Sequence, residues 1–162
     1  MLMNKHIPKI FQEIEQKPQK IPEFLVRGSI SQDDPIFLSI IDNSGGCLFS
    51  KVFDQERNWN DQLLGFFLSA INKFCHKLFE GTIDRIIIGD YFLLFITQGS
   101  FFCCYVFKGS SDFAHKRLND FVEILKGSSI IWKALSSFSE SGSLLSTNIR
   151  GTLDLLATEI FN

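Results

Sequence analysis

The sequence predicts a mixed α/β fold of the α+β kind: a five-stranded, mainly antiparallel sheet with one helix on one face and two or more on the other. Three observations predict it. Residues 85–107, RIIIGDYFLLFITQGSFFCCYVF, form three apolar runs separated by Gly89-Asp90 and Gln98-Gly99-Ser100, and short β-branched and aromatic runs between turn signals are strands of a meander. The last two runs barely alternate between apolar and polar, so both faces of those strands are covered. Ahead of them, two apolar runs flank Asn43-Ser44-Gly45-Gly46 and lead into a long amphipathic segment.

Composition bounds the rest. At 162 residues the chain is read as one main domain, long enough to bury roughly 70% of its unfolded surface. Hydrophobic residues make up 45% and charged residues 21%, as in globular proteins, while 18 phenylalanines imply a bulky aromatic core. A net charge of −2 with scattered lysines speaks against a dedicated nucleic-acid binder, which carries a basic stripe or tail. No apolar run approaches the length of a bilayer span, and the polar start MLMNKHIPKIFQEIEQK does not suit a signal peptide. The expectation is a cytoplasmic protein, peripheral to membranes at most. Cys47, Cys75, Cys103 and Cys104 show no CxxC spacing and are expected to be free thiols. The neighbours Cys103 and Cys104 point to opposite faces of a strand.

In chain order, residues 4–17 predict a short helix, with Pro8 in its first turn and Ile7, Ile10, Phe11 and Ile14 on one docking face. A connecting arm with Pro18, Pro22 and Pro35 follows, so that 1–34 is helix and arm and 35–162 the main domain. Strands are expected at about 36–42, 47–53, 83–89, 91–98 and 101–107. The Gly45-Gly46 pair is turn chemistry, because no GxGxxG or GxxxxGKS spacing surrounds it. Asn60 caps a helix running to Glu80 and stopping at Gly81. Its expected buried stripe is Leu64, Phe67, Ile71, Phe74, Cys75 and Leu78. A second helix covers Asp112–Lys126, with Phe113, Leu118, Phe121, Val122 and Leu125 on one side and Gly127 at its end. Ile130–Phe138 is helical, Ser136–Ser146 is a serine- and glycine-rich mobile loop, and a last helix spans Thr147–Phe161 with Ile149, Leu153, Leu156 and Ile160 inward.

Chemistry is sparse. His6, His76 and His115 are dispersed and read as solvated, and no HExxH, paired Cys/His spacing or GxSxG elbow occurs. No catalytic, cofactor-binding or metal residue is predicted, and the chain is expected not to be an enzyme. An interaction site is expected on the outward side of the Asn60–Glu80 helix, at Gln62, Gly65, Phe66, Ser69 and Lys73. There an interior glycine, which weakens a helix by roughly 1 kcal/mol, leaves a flat spot beside an aromatic anchor.

The hairpin IFLSIIDNSGGCLFSKVF, the helix DQLLGFFLSAINKFCHKLF, the meander DRIIIGDYFLLFITQGSFFCCYVF and the helix FAHKRLNDFVEIL follow one another in an order that resembles the longin domain. The resemblance spans Pro35 to Phe161. It implies a five-stranded antiparallel-type sheet with the first helix on one face and the later ones on the other. It further implies a non-catalytic module of vesicle trafficking, an adaptor or regulator subunit. The implied partner is a small Ras-like GTPase or a second longin or roadblock chain, a homodimer included. The longin SNAREs fit less well, since no SNARE coiled-coil segment or anchor is seen. The roadblock fold is a near relative with a similar sheet and helix. In another class stands a profilin- or PAS-like ligand-sensing domain, which needs a cavity lined by a few polar groups, followed by an α/β enzyme.

Overall fold

The structure is a computed structural model and describes residues 33–142 and 144–162. The expected helix at 4–17, the arm with its proline residues and His6 lie outside these residues. Five strands, β1 (Asp34–Asp42), β2 (Cys47–Val52), β3 (Arg85–Ile88), β4 (Tyr91–Gln98) and β5 (Phe101–Lys108), form one sheet in the order β2-β1-β5-β4-β3. Every pairing is antiparallel. Helix α1 (Asp61–Phe79) crosses one face, whereas α2 (Ser111–Gly127), α3 (Ser129–Ser141) and α4 (Thr147–Phe161) belong to the other layer. This is the arrangement that the element order implied, a five-stranded antiparallel sheet with the first helix on one face and the later helices on the other.

Tight turns set the meander. Gly89 (φ +59°) and Gly99 (φ +58°) take the first of the two loop positions in the β3–β4 and β4–β5 hairpins, where a positive φ matches the strand twist and glycine has no Cβ to clash. The β1–β2 loop spans four residues, 43–46. Asp42 organises it, its Oδ1 accepting from the Ser44 amide at 2.8 Å, the Ser44 hydroxyl at 2.6 Å and the Gly46 amide at 2.8 Å.

Strand β5 sits at the centre and shows why alternation is missing from its sequence. Phe101, Cys103, Tyr105 and Phe107 point into the α2–α4 side, while Phe102, Cys104 and Val106 point into the α1 side, and all seven are buried. The vicinal cysteines therefore part to opposite faces. Burial pushes the Cys103 thiol up to about 12 and Cys104 higher still, so both are neutral and unreactive at ordinary pH.

The core between sheet and α2–α4 is built on Ala114, Leu118, Phe121, Val122 and Leu125 of α2, Ile131 and Leu135 of α3, and Leu153, Ala157 and Phe161 of α4. Phe113, expected inward, is 49% exposed; Ala114, four residues before Leu118, lies on the inner line instead. Likewise Leu153, Ala157 and Phe161 form the inner line of α4, with Ile149, Leu156 and Ile160 half-buried at its margin. The serine-rich stretch expected as loop from residue 136 is helical to Ser141, where Gly142 ends α3 in the left-handed region (φ +67°). Packing of Leu135 and Phe138 against the core outweighs the weak helix propensity of its serines.

One buried polar cluster ties chain segments far apart. Tyr105 donates its hydroxyl hydrogen to Asp33 Oδ2, which also pairs with Arg117 Nη1 at 3.4 Å, and Arg117 donates to the Phe161 carbonyl at 3.2 Å. Desolvation, and then the Asp33 carboxylate, raise the Tyr105 pKa. This links the entry to β1 with β5, α2 and the end of α4.

Candidate interaction face at α1 and β3

Helix α1 begins with Asn60, whose side chain accepts from the Leu63 amide at 2.9 Å, and ends at Glu80 in the left-handed region. Three contacts fix its roll. The Ser50 hydroxyl donates to Asp61 Oδ2 at 3.0 Å, and the Ser69 hydroxyl donates to the Asn43 carbonyl at 3.0 Å. Between them Gly65 lies against the β1–β2 turn so closely that a Cβ there would stand 2.7 Å from the Gly45 carbonyl oxygen. Gly45 itself has φ +96°, and a Cβ on it would stand 2.8 Å from Phe66 Cδ1. Backbone approaches backbone, which only glycine permits.

Gly65, Leu68 and Ser69 are the buried residues of α1. This corrects two expectations. Gly65 and Ser69 face the sheet and the turn, not outward. Phe67, Phe74 and Leu78, expected inside, are exposed at 48%, 59% and 58%. Helix α1 is thus rolled by roughly 100°, one residue's step, from the orientation that hydrophobic periodicity suggests. Of the predicted site residues, Gln62, Phe66 and Lys73 are exposed, and the structure does not join them with Gly65 and Ser69 into one surface.

The roll leaves an apolar line on the outside: Leu63, Phe67, Ala70, Phe74 and Leu78, each three or four residues after the last, the spacing of one helix stripe. Phe67 and Leu64 share an apolar groove of about 190 Å³ with Trp59, Ile88, Tyr91, Leu93 and Val106. The stripe therefore lies on the flank of α1 that looks toward β3. Trp59 anchors the groove, stacked on Phe37 at 6.0 Å and edge-on to Tyr91 at 6.3 Å. Two cations, Arg57 at 5.0 Å and Lys108 at 4.8 Å, stand over the Tyr91 ring.

The sheet edge beside this stripe is open. Strand β3 pairs with β4 and has no second neighbour among the described residues. The Phe95 amide donates to the Asp84 carbonyl, so by strand alternation the N–H and C=O groups of Arg85 and Ile87 turn away from β4. Ile87 and Ile88 are 59% and 50% exposed. Natural edges are guarded by charges, prolines or bulges, whereas this one shows an isoleucine run behind a single arginine.

His76 and His115 stand exposed on different helices, and among the described residues no group of three or more His, Cys, Asp or Glu is placed to hold a metal ion. No described helix is long and apolar enough to cross a membrane. Sequence reasoning missed Leu63, Phe67, Phe74, Leu78, Ile87 and Ile88. The available signal was the pair of small residues Gly65 and Ser69, four apart, which marks the side of a helix that comes closest to a neighbour.

No family model matches the chain, and no curated protein matches it. Among solved structures it is similar to MglB of Myxococcus xanthus, at 14% identity and a TM-score of 0.37, over 47% of this chain and 68% of that one. It is also similar to a Roadblock/LC7 domain from Streptomyces avermitilis, at 13% identity and a TM-score of 0.47, over 67% of this chain and 97% of that one.

Proposed function

We propose that the chain is a non-catalytic protein-interaction module, an adaptor or regulator subunit in a vesicle-trafficking-type process. Its α1–β3 face receives either a small Ras-like GTPase or another longin- or roadblock-type chain. One observation carries this reading: the apolar stripe of α1 and the edge of β3, unpaired among the described residues, lie side by side and exposed. Large aromatic side chains left outside a core are anchors of the sort that dominate interfaces. Gln62, Phe66 and Lys73 flank the stripe and form its rim, and the longin resemblance supplies the partner class.

The test is association of the purified chain with small GTPases in both nucleotide states and with longin- or roadblock-type chains, before and after Phe74→Ser and Phe66→Ser. The expected result is lost association with an unchanged unfolding midpoint. Association that survives both substitutions would remove this face from consideration.

A further inference from the structure

We infer that a cleft between the later half of α1 and the β1–β2 and β4–β5 turns binds the phosphate monoester of a small polyol. The inference goes beyond the partner reading and does not depend on it, because the cleft lies on the other flank of α1 from the apolar stripe. Its volume is about 370 Å³, within the range of small-molecule sites, about 300–1,000 Å³.

The walls of the cleft are tied to one another. The Ser69 hydroxyl donates to the Asn43 carbonyl at 3.0 Å and so fixes α1 on the β1–β2 turn. The Asn43 amide donates to the Ser100 carbonyl at 3.1 Å and so fixes that turn on the β4–β5 turn. Asp42 braces the first turn from within, and the Gly45–Gly65 contact leaves the helix no room to settle closer. Groups already held in place lose little freedom on binding.

Beyond these struts, the lining consists of unspent polar groups. Asn72, Lys73 and His76 follow Ser69 at helical spacing on one flank of α1, and Thr82 and Thr97 add two hydroxyls. The side chains of these five have no hydrogen bond or ion pair with a described residue. No carboxylate lines the cleft, although acidic residues outnumber Lys and Arg in the chain, 18 to 16. A cleft that gathers two basic side chains and keeps out every acid focuses positive potential and draws an anion.

The donors select the kind of anion. A planar carboxylate is best held by the two-pronged arginine, and no arginine lines the cleft. A phosphate monoester offers three strong acceptor oxygens and a charge of roughly −1.5 to −2 at neutral pH, which lysine serves as a point charge. Asparagine and threonine side chains both donate and accept, as the hydroxyl groups of a polyol require. The ligand class is therefore a glycerol, sugar or inositol phosphate, free or as a lipid headgroup.

The full chain is to be titrated with glycerol phosphate and inositol phosphate at constant ionic strength, followed by calorimetry and amide chemical shifts. Wild type is compared with Lys73→Gln, Asn72→Leu and Lys77→Gln, the last a cation of the same helix outside the cleft. The expected result is saturable shifts at Asn72, Lys73, Thr97 and Gly99. Affinity should fall about 10-fold or more in Lys73→Gln and about 5-fold in Asn72→Leu, and not in Lys77→Gln. Should Asn72→Leu lower the unfolding midpoint, exposed Lys73 decides alone. Phosphatidylcholine vesicles with and without phosphatidylinositol phosphate separate the two sources. Vesicle capture that Lys73→Gln abolishes, without saturation by the soluble esters, assigns the lipid headgroup; saturation without capture assigns the free ester. Neither saturation nor capture overturns the inference. So does an equal loss in Lys77→Gln, which reduces the effect to general attraction, and so does equal binding of acetate, which removes the phosphate.

Discussion

The two faces of the sheet are covered to different depths. Among the described residues the buried cluster counts twenty toward α2, α3 and α4 and nine toward α1. The first side is sealed by side-chain interlock: Phe161 stands 4.4 Å from the Tyr105 ring centre and 5.7 Å from that of Phe121. The other is seated on a glycine contact, and much of its helix's apolar surface remains outside. A helix whose best hydrophobic residues are unused by its own domain is one whose stability and whose contacts are separable.

The sharpest way to break that comparison is to empty the interlocked side. Phe121→Ala removes a fully buried ring and is expected to destabilise by about 3–5 kcal/mol in chemical denaturation. A loss under about 1 kcal/mol would show that this core is not the one holding the fold.

Glycine substitutions in two helices should move in opposite directions. Gly65→Ala drives a methyl group into the Gly45 carbonyl and is expected to lose about 1–3 kcal/mol. Gly151→Ala in α4 meets nothing within 4 Å and should gain up to about 1 kcal/mol. Thermal unfolding of both variants measures the difference, and equal signs would show that the contact does not seat α1.

Thiol titration asks whether the thin side is nonetheless dry. Cys47, pushed up to about 11 mainly by burial, and Cys103, at about 12, keep their protons in the fold well above the ordinary thiol value of 9.0. An unfolded chain releases them from about pH 9, so their stabilising contribution is complete below that pH and is lost as pH rises toward 12. Stability should fall over this window, and less steeply in Cys103→Ala. In native protein Cys104, on the α1 side, should resist alkylation as fully as Cys103. A Cys104 that labels as fast as half-buried Cys75 would show the α1 side to be open.

The smallest effect is expected at the stripe. Leu78→Ser should change stability by no more than about 0.5 kcal/mol while weakening association. A larger loss of stability would mean that the stripe belongs to the domain's own core.

Most of the sheet was legible. β-branched and aromatic runs with glycine turns fix β4 and β5 to within a residue, and the lack of alternation in Phe101–Phe107 correctly implied cover on both faces. The roll of α1 was not legible, for a physical reason. Leu63, Leu64, Phe66, Phe67, Leu68, Ile71, Phe74, Leu78 and Phe79 surround most of the helix, so periodicity has no single direction to report. The deciding contact is made with Gly45, twenty residues earlier, and is invisible to any local window. Arg117 shows the same limit, since nothing in the α2 sequence distinguishes it from a surface arginine until Asp33 and Phe161 are brought beside it.

The seat formed by Gly45 and Gly65 has a consequence for how such a domain can change over generations. Because the Gly45–Gly65 backbone contact, buried Leu68 and the Ser50 and Ser69 hydrogen bonds seat α1, the letters on its outer flank carry little folding duty. Leu63, Phe74 and Leu78, the most exposed of the stripe, can be exchanged for another partner's preferences with little repacking beneath them. One helix thereby carries two independent texts, a short one at Gly65, Leu68 and Ser69 that says how to fold, and a longer one that says whom to meet.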